Sequence, residues 1–114
     1  MPNPRDAMLE VELYRLQAEF CKGMAHPKRI QILRILKGGE KTVSELARRT
    51  GIPQANMSQH LSLLRQFGLL NTRREGNSIY YSISDHRIVE ACDLVRSCIG
   101  ERLRKSQLAL AISS

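Results

Sequence analysis

Between Gly51 and Tyr81 the sequence reads GIPQANMSQHLSLLRQFGLLNTRREGNSIYY, and the glycines at 51, 68 and 76 divide it into one helix-length segment and two strand-length segments. No other stretch limits the fold so strongly. From Gln54 to Phe67, the apolar residues Met57, Leu61 and Leu64 recur at i, i+4, i+7 and share one face of a helix. At about 100° per residue, the opposite face carries Ala55, Gln59, Ser62 and Gln66, with Asn56 and Ser58 on its shoulders. That face is polar but nearly uncharged. A solvated helix face usually carries Lys and Glu, whereas amides and hydroxyls suit hydrogen bonding to the edges of bases. The plain alternative, a solvent face that happens to be rich in Gln and Ser, loses ground once the flanking segments are read.

Upstream, Thr42 or Ser44 can cap a short helix Val43–Arg49, with Glu45 favourably placed in its first turn. Gly51 ends that helix in a left-handed conformation, and Pro53 pre-sets the backbone for the next one. Downstream, Leu69–Arg73 and Ser78–Ser84 read as strands, joined by the turn Arg74-Glu75-Gly76-Asn77, in which Gly and Asn tolerate positive φ. Two helices across a glycine turn, followed by a basic hairpin, describe a winged helix-turn-helix. In such a unit the second helix enters the major groove and the hairpin grips the backbone or minor groove. The candidates for DNA contact are therefore Gln54, Ala55, Asn56, Ser58, Gln59, His60 and Ser62 on the helix, with Arg73, Arg74 and Asn77 at the wing. His60 lies about 60° from the centre of the buried face, so it either reaches DNA or hydrogen-bonds at the edge of the core.

Two further helices are expected at the ends. Met8–Lys22 places Leu9, Leu13, Leu16 and Phe20 at helical spacing, and Ile88, Cys92, Val95, Ile99 and Leu103 form a second apolar stripe after Asp85. A small winged-helix core is filled by its central helices, so these terminal stripes are left to be covered by a second subunit. The fold class is mainly α with a small β-hairpin, in the order α-α-α-α-β-β-α. Residues 1–114 are expected to form one domain that dimerises through its terminal helices. Only the ends, Met1–Arg5 and about Ser106–Ser114, are candidates for disorder, although Leu108–Ile112 is apolar enough to pack on something.

A net charge of +7 and a pI near 9.8 favour a polyanionic partner. The excess is concentrated: residues 24–53 carry +5 of it. Lys28, Arg29, Lys41, Arg48 and Arg49 are therefore candidates for phosphate contacts or, read plainly, solubilising charge. No segment resembles an export signal, and no apolar run is long enough to span a membrane, so a cytoplasmic protein is expected. The cysteines number three, which argues against a disulfide framework. Neither a nucleophile elbow, a phosphate-cradling glycine loop nor a Cys–His pairing at a recognised spacing is present, so an enzyme is not expected.

Taken together, Ala25-His26-Pro27-Lys28-Arg29-Ile30-Gln31-Ile32-Leu33, Val43-Ser44-Glu45-Leu46-Ala47, Asn56-Met57-Ser58-Gln59-His60-Leu61 and Arg73-Arg74-Glu75-Gly76 with Tyr80-Tyr81 resemble the arsenic-repressor type (ArsR/SmtB) of winged-helix regulators. The likeness covers roughly residues 10–104. It implies a homodimer that binds a two-fold double-stranded DNA operator and leaves it when an effector binds. It also implies that His60, in a Ser-x-His-Leu pattern, lies at the DNA surface.

For the effector, the resemblance offers three routes. One family metal site uses cysteines at positions that here read Thr42-Val43-Ser44, and hydroxyls are poor replacements for thiolates, so that site is absent. A second draws its ligands from the last helix of two subunits. Its positions correspond to Asp85, Arg87, Cys98 and Glu101; Asp85, Cys98 and Glu101 are candidate ligands, whereas Arg87 is a cation that cannot ligate a metal. The third is a thiol sensor built from Cys21, Cys92 and Cys98. Cys92 and Cys98 are six residues apart, about 9 Å along one helix and roughly 120° around it, so they need a third partner or another chain. Cysteines that only pack are the plain alternative. The function expected is a homodimeric, DNA-binding transcriptional repressor released by a metal, metalloid or thiol-reactive signal, with activation left open. The alternative is a winged-helix module that binds another protein without specific DNA binding.

Overall fold

The computed structural model describes residues 3–113, and side-chain surroundings for residues 3–108. It divides into two compact units, residues 1–84 and 85–114.

In the first unit, α1 (Pro4–Met24) starts at Asn3, whose side-chain oxygen accepts from the Arg5 amide, and it carries Pro in its first turn. Helix α2 (Pro27–Leu36) is capped by His26, whose Nδ1 accepts from the Lys28 amide at 3.1 Å. Then follow β1 (Lys41–Thr42), α3 (Val43–Thr50), α4 (Gln54–Gln66), β2 (Leu70–Glu75) and β3 (Ser78–Ile83). The expected helix-turn-helix and hairpin are both present. One element was not expected: β1 pairs antiparallel with β3, giving a three-stranded sheet in the order β1-β3-β2. Two residues carry no alternation to read, and β1 is defined only by its partner.

The core of this unit is aliphatic. Ile32, Leu33 and Leu36 of α2, Leu46 of α3, Met57, Leu61 and Leu64 of α4, and Leu69 are all fully buried, joined by Ile52, Leu70 and Ile83. Each such side chain contributes about 1.5–3 kcal/mol of burial before entropy is counted. Because Met57, Leu61 and Leu64 are inside, the opposite side of α4 must point outward.

The second unit is one helix, α5 (His86–Ser113). Both terminal helices are longer than their apolar stripes suggest. Helix α1 takes in Pro4 and Arg5, and α5 takes in Ser106 to Ser113, so these parts of the ends expected as candidates for disorder are helical. Met1, Pro2 and Ser114 lie outside the described residues. Among the described residues, no helix is long and apolar enough to cross a membrane.

Candidate nucleic-acid interface

The turn that aims α4 is built from local chemistry. Thr42, rather than Ser44, caps α3: its Oγ1 accepts from the Glu45 amide at 3.2 Å, while the Glu45 carboxylate accepts from the Thr42 amide at 3.4 Å. Gly51 closes the helix at φ 75°, where a side chain would be strained. Ile52 is buried in the turn, and Pro53 precedes the first residue of α4 in extended geometry. Gln54 Nε2 donates to Ser44 Oγ at 2.9 Å, tying the two helix starts together.

With this orientation Gln54, Ala55, Asn56, Ser58, Gln59 and Ser62 are all exposed. Gln54 shares its amide with Ser44, which leaves Asn56, Ser58, Gln59 and Ser62 as the amides and hydroxyls that look outward without a hydrogen-bond partner among the described residues. His60 has different surroundings from the rest of this face. It is half-buried, its ring stands edge-on to His26 with centroids 4.9 Å apart, and its Nδ1 is enclosed without a hydrogen-bond partner among the described residues. Desolvation, then the charges of His26, Arg29 and Lys28, hold its pKa below the ordinary histidine value.

At the wing, Glu75 pairs with Ser78, so the turn is the two residues Gly76-Asn77. Gly76 has φ 60° and Asn77 does not have positive φ, the pattern of a type II′ turn. Thus only the glycine uses the freedom expected of both. The register sets the faces. Leu70 opposes Ile83, and Arg74 opposes Ile79, on the side that continues the core, whereas Arg73 opposes Tyr80 on the other side. The two arginines therefore point in opposite directions. Arg74 is exposed and without an ion-pair partner among the described residues, and Asn77 is exposed at the tip. Arg73 is held instead: it pairs with Glu40 at 2.6 Å and with Glu75 at 2.8 Å, and lies 4.7 Å over the Tyr80 ring. Its pKa is raised by hydrogen bonds to these carboxylates, Glu40 first, and that of Glu40 is lowered by the same bond. Glu40 was not singled out from sequence, since only the β1–β3 pairing brings it beside Arg73, and Tyr80 was read only as part of the Tyr80-Tyr81 motif.

Among the other cations, Lys28, Arg48 and Arg49 are exposed. Arg29 is half-buried and donates to the Gly23 carbonyl at 3.0 Å, and Lys41 Nζ donates to the Gly39 carbonyl at 3.2 Å, so these two are committed to the fold.

Among the described residues, no three His, Cys, Asp or Glu side chains converge in a way that could hold a metal ion. Asp85 accepts from Arg87 Nη2 at 2.6 Å and from Arg87 Nε at 3.0 Å, and these bonds pull its pKa down to about 2. Sixteen positions of helix, about 24 Å, separate it from Glu101. Cys21 and Cys98 are exposed and Cys92 is half-buried, and none of the three forms a disulfide among the described residues.

The sequence profile described as "Bacterial regulatory protein, arsR family" matches residues 26–72, the segment from the cap of α2 to the middle of β2. The uncharacterized HTH-type transcriptional regulator Rv0081 of Mycobacterium tuberculosis is 40% identical over 92 residues, covering 80% of this chain and 81% of that one. Its crystal structure superposes with a TM-score of 0.73 at 39% identity, over 82% of this chain and 95% of that one. The solution structure of Mb0332 from Mycobacterium bovis, described as a homodimeric winged helix-turn-helix DNA-binding domain and a possible ArsR-family regulator, gives a TM-score of 0.71 at 31% identity, over 90% of this chain and 91% of that one. A probable mercury resistance operon repressor of Streptomyces lividans is 35% identical over 79 residues, 69% of this chain and 63% of that one.

Proposed function

From the premise that this chain belongs to the arsR family of bacterial regulatory proteins, we propose that it is a homodimeric, sequence-specific DNA-binding repressor. Helix α4 reads the major groove through Ala55, Asn56, Ser58, Gln59 and Ser62, with Gln54 at its start, while Arg74 and Asn77 at the wing meet the backbone or the minor groove. The observation that carries this reading is the outward amide-and-hydroxyl face of α4, set against a fully buried Met57, Leu61 and Leu64. Relatives named as regulators favour it over a protein-interaction module and over any enzymatic role. Exposed apolar side chains on α1 and α5 support pairing with a second copy through the terminal helices. Lys28, Arg48 and Arg49 add phosphate contacts.

The test is binding to a duplex covering the DNA upstream of its own gene, at two salt concentrations and beside a random duplex of equal length. Affinity that is specific and falls steeply with salt supports the repressor. Absence of any preference overturns it.

The mercury repressor among the relatives favours a metal-responsive switch in this family. In this chain, a set made from Asp85, Cys98 and Glu101 would have to draw on two copies and to free Asp85 from Arg87. The thiols of Cys21, Cys92 and Cys98 form the other route. A release assay with zinc, arsenite, a persulfide donor, peroxide and buffer separates them. A Cys98→Ser variant that still responds normally removes the thiol route.

A further inference from the structure

We infer that Arg73 is a positioning residue rather than a DNA contact: it is a strap across the outer face of the sheet that fixes the angle at which the wing presents Arg74 and Asn77. This rests on the DNA-binding reading above.

The strap follows from the register. Arg73 on β2 lies directly opposite Tyr80 on β3, and Tyr80 lies opposite Thr42 on β1. Glu40, two residues before Thr42, falls on the same face by strand alternation. The guanidinium therefore leaves β2, passes over the Tyr80 ring of the central strand, and meets a carboxylate on the far side. It meets it as a fork, Nη2 to Oε1 at 2.6 Å and Nε to Oε2 at 3.2 Å. Its third nitrogen, Nη1, donates to Glu75 Oε2 at 2.8 Å, next to the hairpin turn. One planar group thus links the loop before β1, the central strand and the end of the wing. A two-stranded ribbon is marginal on its own, and the outer part of this one carries no buried side chain from Asn71 to Ser82. A network of two carboxylates, a fork and a stacked ring holds its geometry better than an isolated surface pair.

The same groups argue against a phosphate contact. All three guanidinium nitrogens already donate to carboxylates. A phosphate would have to displace both.

The two roles predict opposite signs for one substitution. If Arg73 met phosphate, Glu40→Gln would release the cation and tighten DNA binding. As a strap, Glu40→Gln loosens the wing and weakens specific binding although it removes a negative charge. The experiment uses the full chain, with a duplex that the wild type enriches from a randomised pool and a random duplex, titrated over salt. Hydrogen exchange of the wing amides is followed in the free protein. We expect Glu40→Gln and Arg73→Ala each to lower affinity for the enriched duplex roughly fivefold. The salt slope should be unchanged, the double variant no weaker than Arg73→Ala alone, and wing amides should exchange faster in each. Tighter binding by Glu40→Gln overturns the inference, as does a salt slope that falls by about one in Arg73→Ala. If the wild type enriched no duplex, the DNA-binding reading would fail separately. The exchange data would then decide the strap alone, with unchanged wing protection in Glu40→Gln overturning it.

Discussion

His60 shows how one side chain escapes a helical wheel. It lies about 60° from the buried centre, and the neighbour that encloses one side of its ring is His26, which reaches it from the start of α2. Nothing within α4 records that neighbour. The placement has a consequence for pH. The folded state disfavours protonated His60 through burial and the nearby His26, Arg29 and Lys28, so its pKa lies below the 6.5 of an exposed histidine. The unfolded chain therefore binds the proton more readily: stability is full above about 6.5 and erodes as pH falls below it toward the folded value. Thermal melts at pH 7.5 and 5.5 should show a larger drop for the wild type than for His60→Gln, and equal drops would contradict the assignment. Gly23 supplies a second test at this scale. A Cβ there would lie 3.0 Å from Leu69 Cδ1 and 3.0 Å from Phe67 Cδ2. Gly23→Ala should therefore fall short, in denaturant unfolding, of the roughly 0.5–1 kcal/mol that Ala gains over Gly in an open helix, and a full gain would contradict the tight packing.

Among the elements, those that were legible carry their own punctuation. Helices α3 and α4 could be placed because Thr42, Glu45, Gly51 and Pro53 fix their ends by local chemistry, and α4's outward face followed from Met57, Leu61 and Leu64 turning inward. The turn was legible from Gly76, though its exact length was not, because the pairing of Glu75 with Ser78 depends on the sheet. Strand β1 was not legible, and with it went the whole outer-face arrangement of Glu40, Arg73 and Tyr80. The capping box makes a measurable claim: Thr42→Ala should lower stability by about 1 kcal/mol, read from the denaturant midpoint at unchanged slope. An unaltered midpoint would show that the box does not hold α3.

At the scale of the whole molecule, the striped terminal helices remain. On α1, Leu9, Leu13 and Leu16 are exposed, with Leu13 at 56%; on α5, Val95, Ile99 and Leu103 are exposed, with Val95 at 60%. Scattered exposed apolar residues need no explanation, but rows at helical spacing do. Pairing with a second copy accounts for them, and a symmetric pair presents two α4 helices to half-sites about 34 Å apart. Sedimentation should therefore give twice the 13.0 kDa chain mass. Leu13→Glu and Val95→Glu, harmless on a free surface, should shift it toward the monomer and weaken operator binding together. Variants that remain dimeric would place the interface elsewhere. Whether α4 reads bases through its amide face is decided by Gln59→Ala, comparing affinities for the enriched and the random duplex at one salt concentration. The substitution should cost roughly tenfold or more on the enriched duplex, about 1–3 kcal/mol, with the random duplex nearly unaffected; equal losses on both would show that Gln59 reads no base.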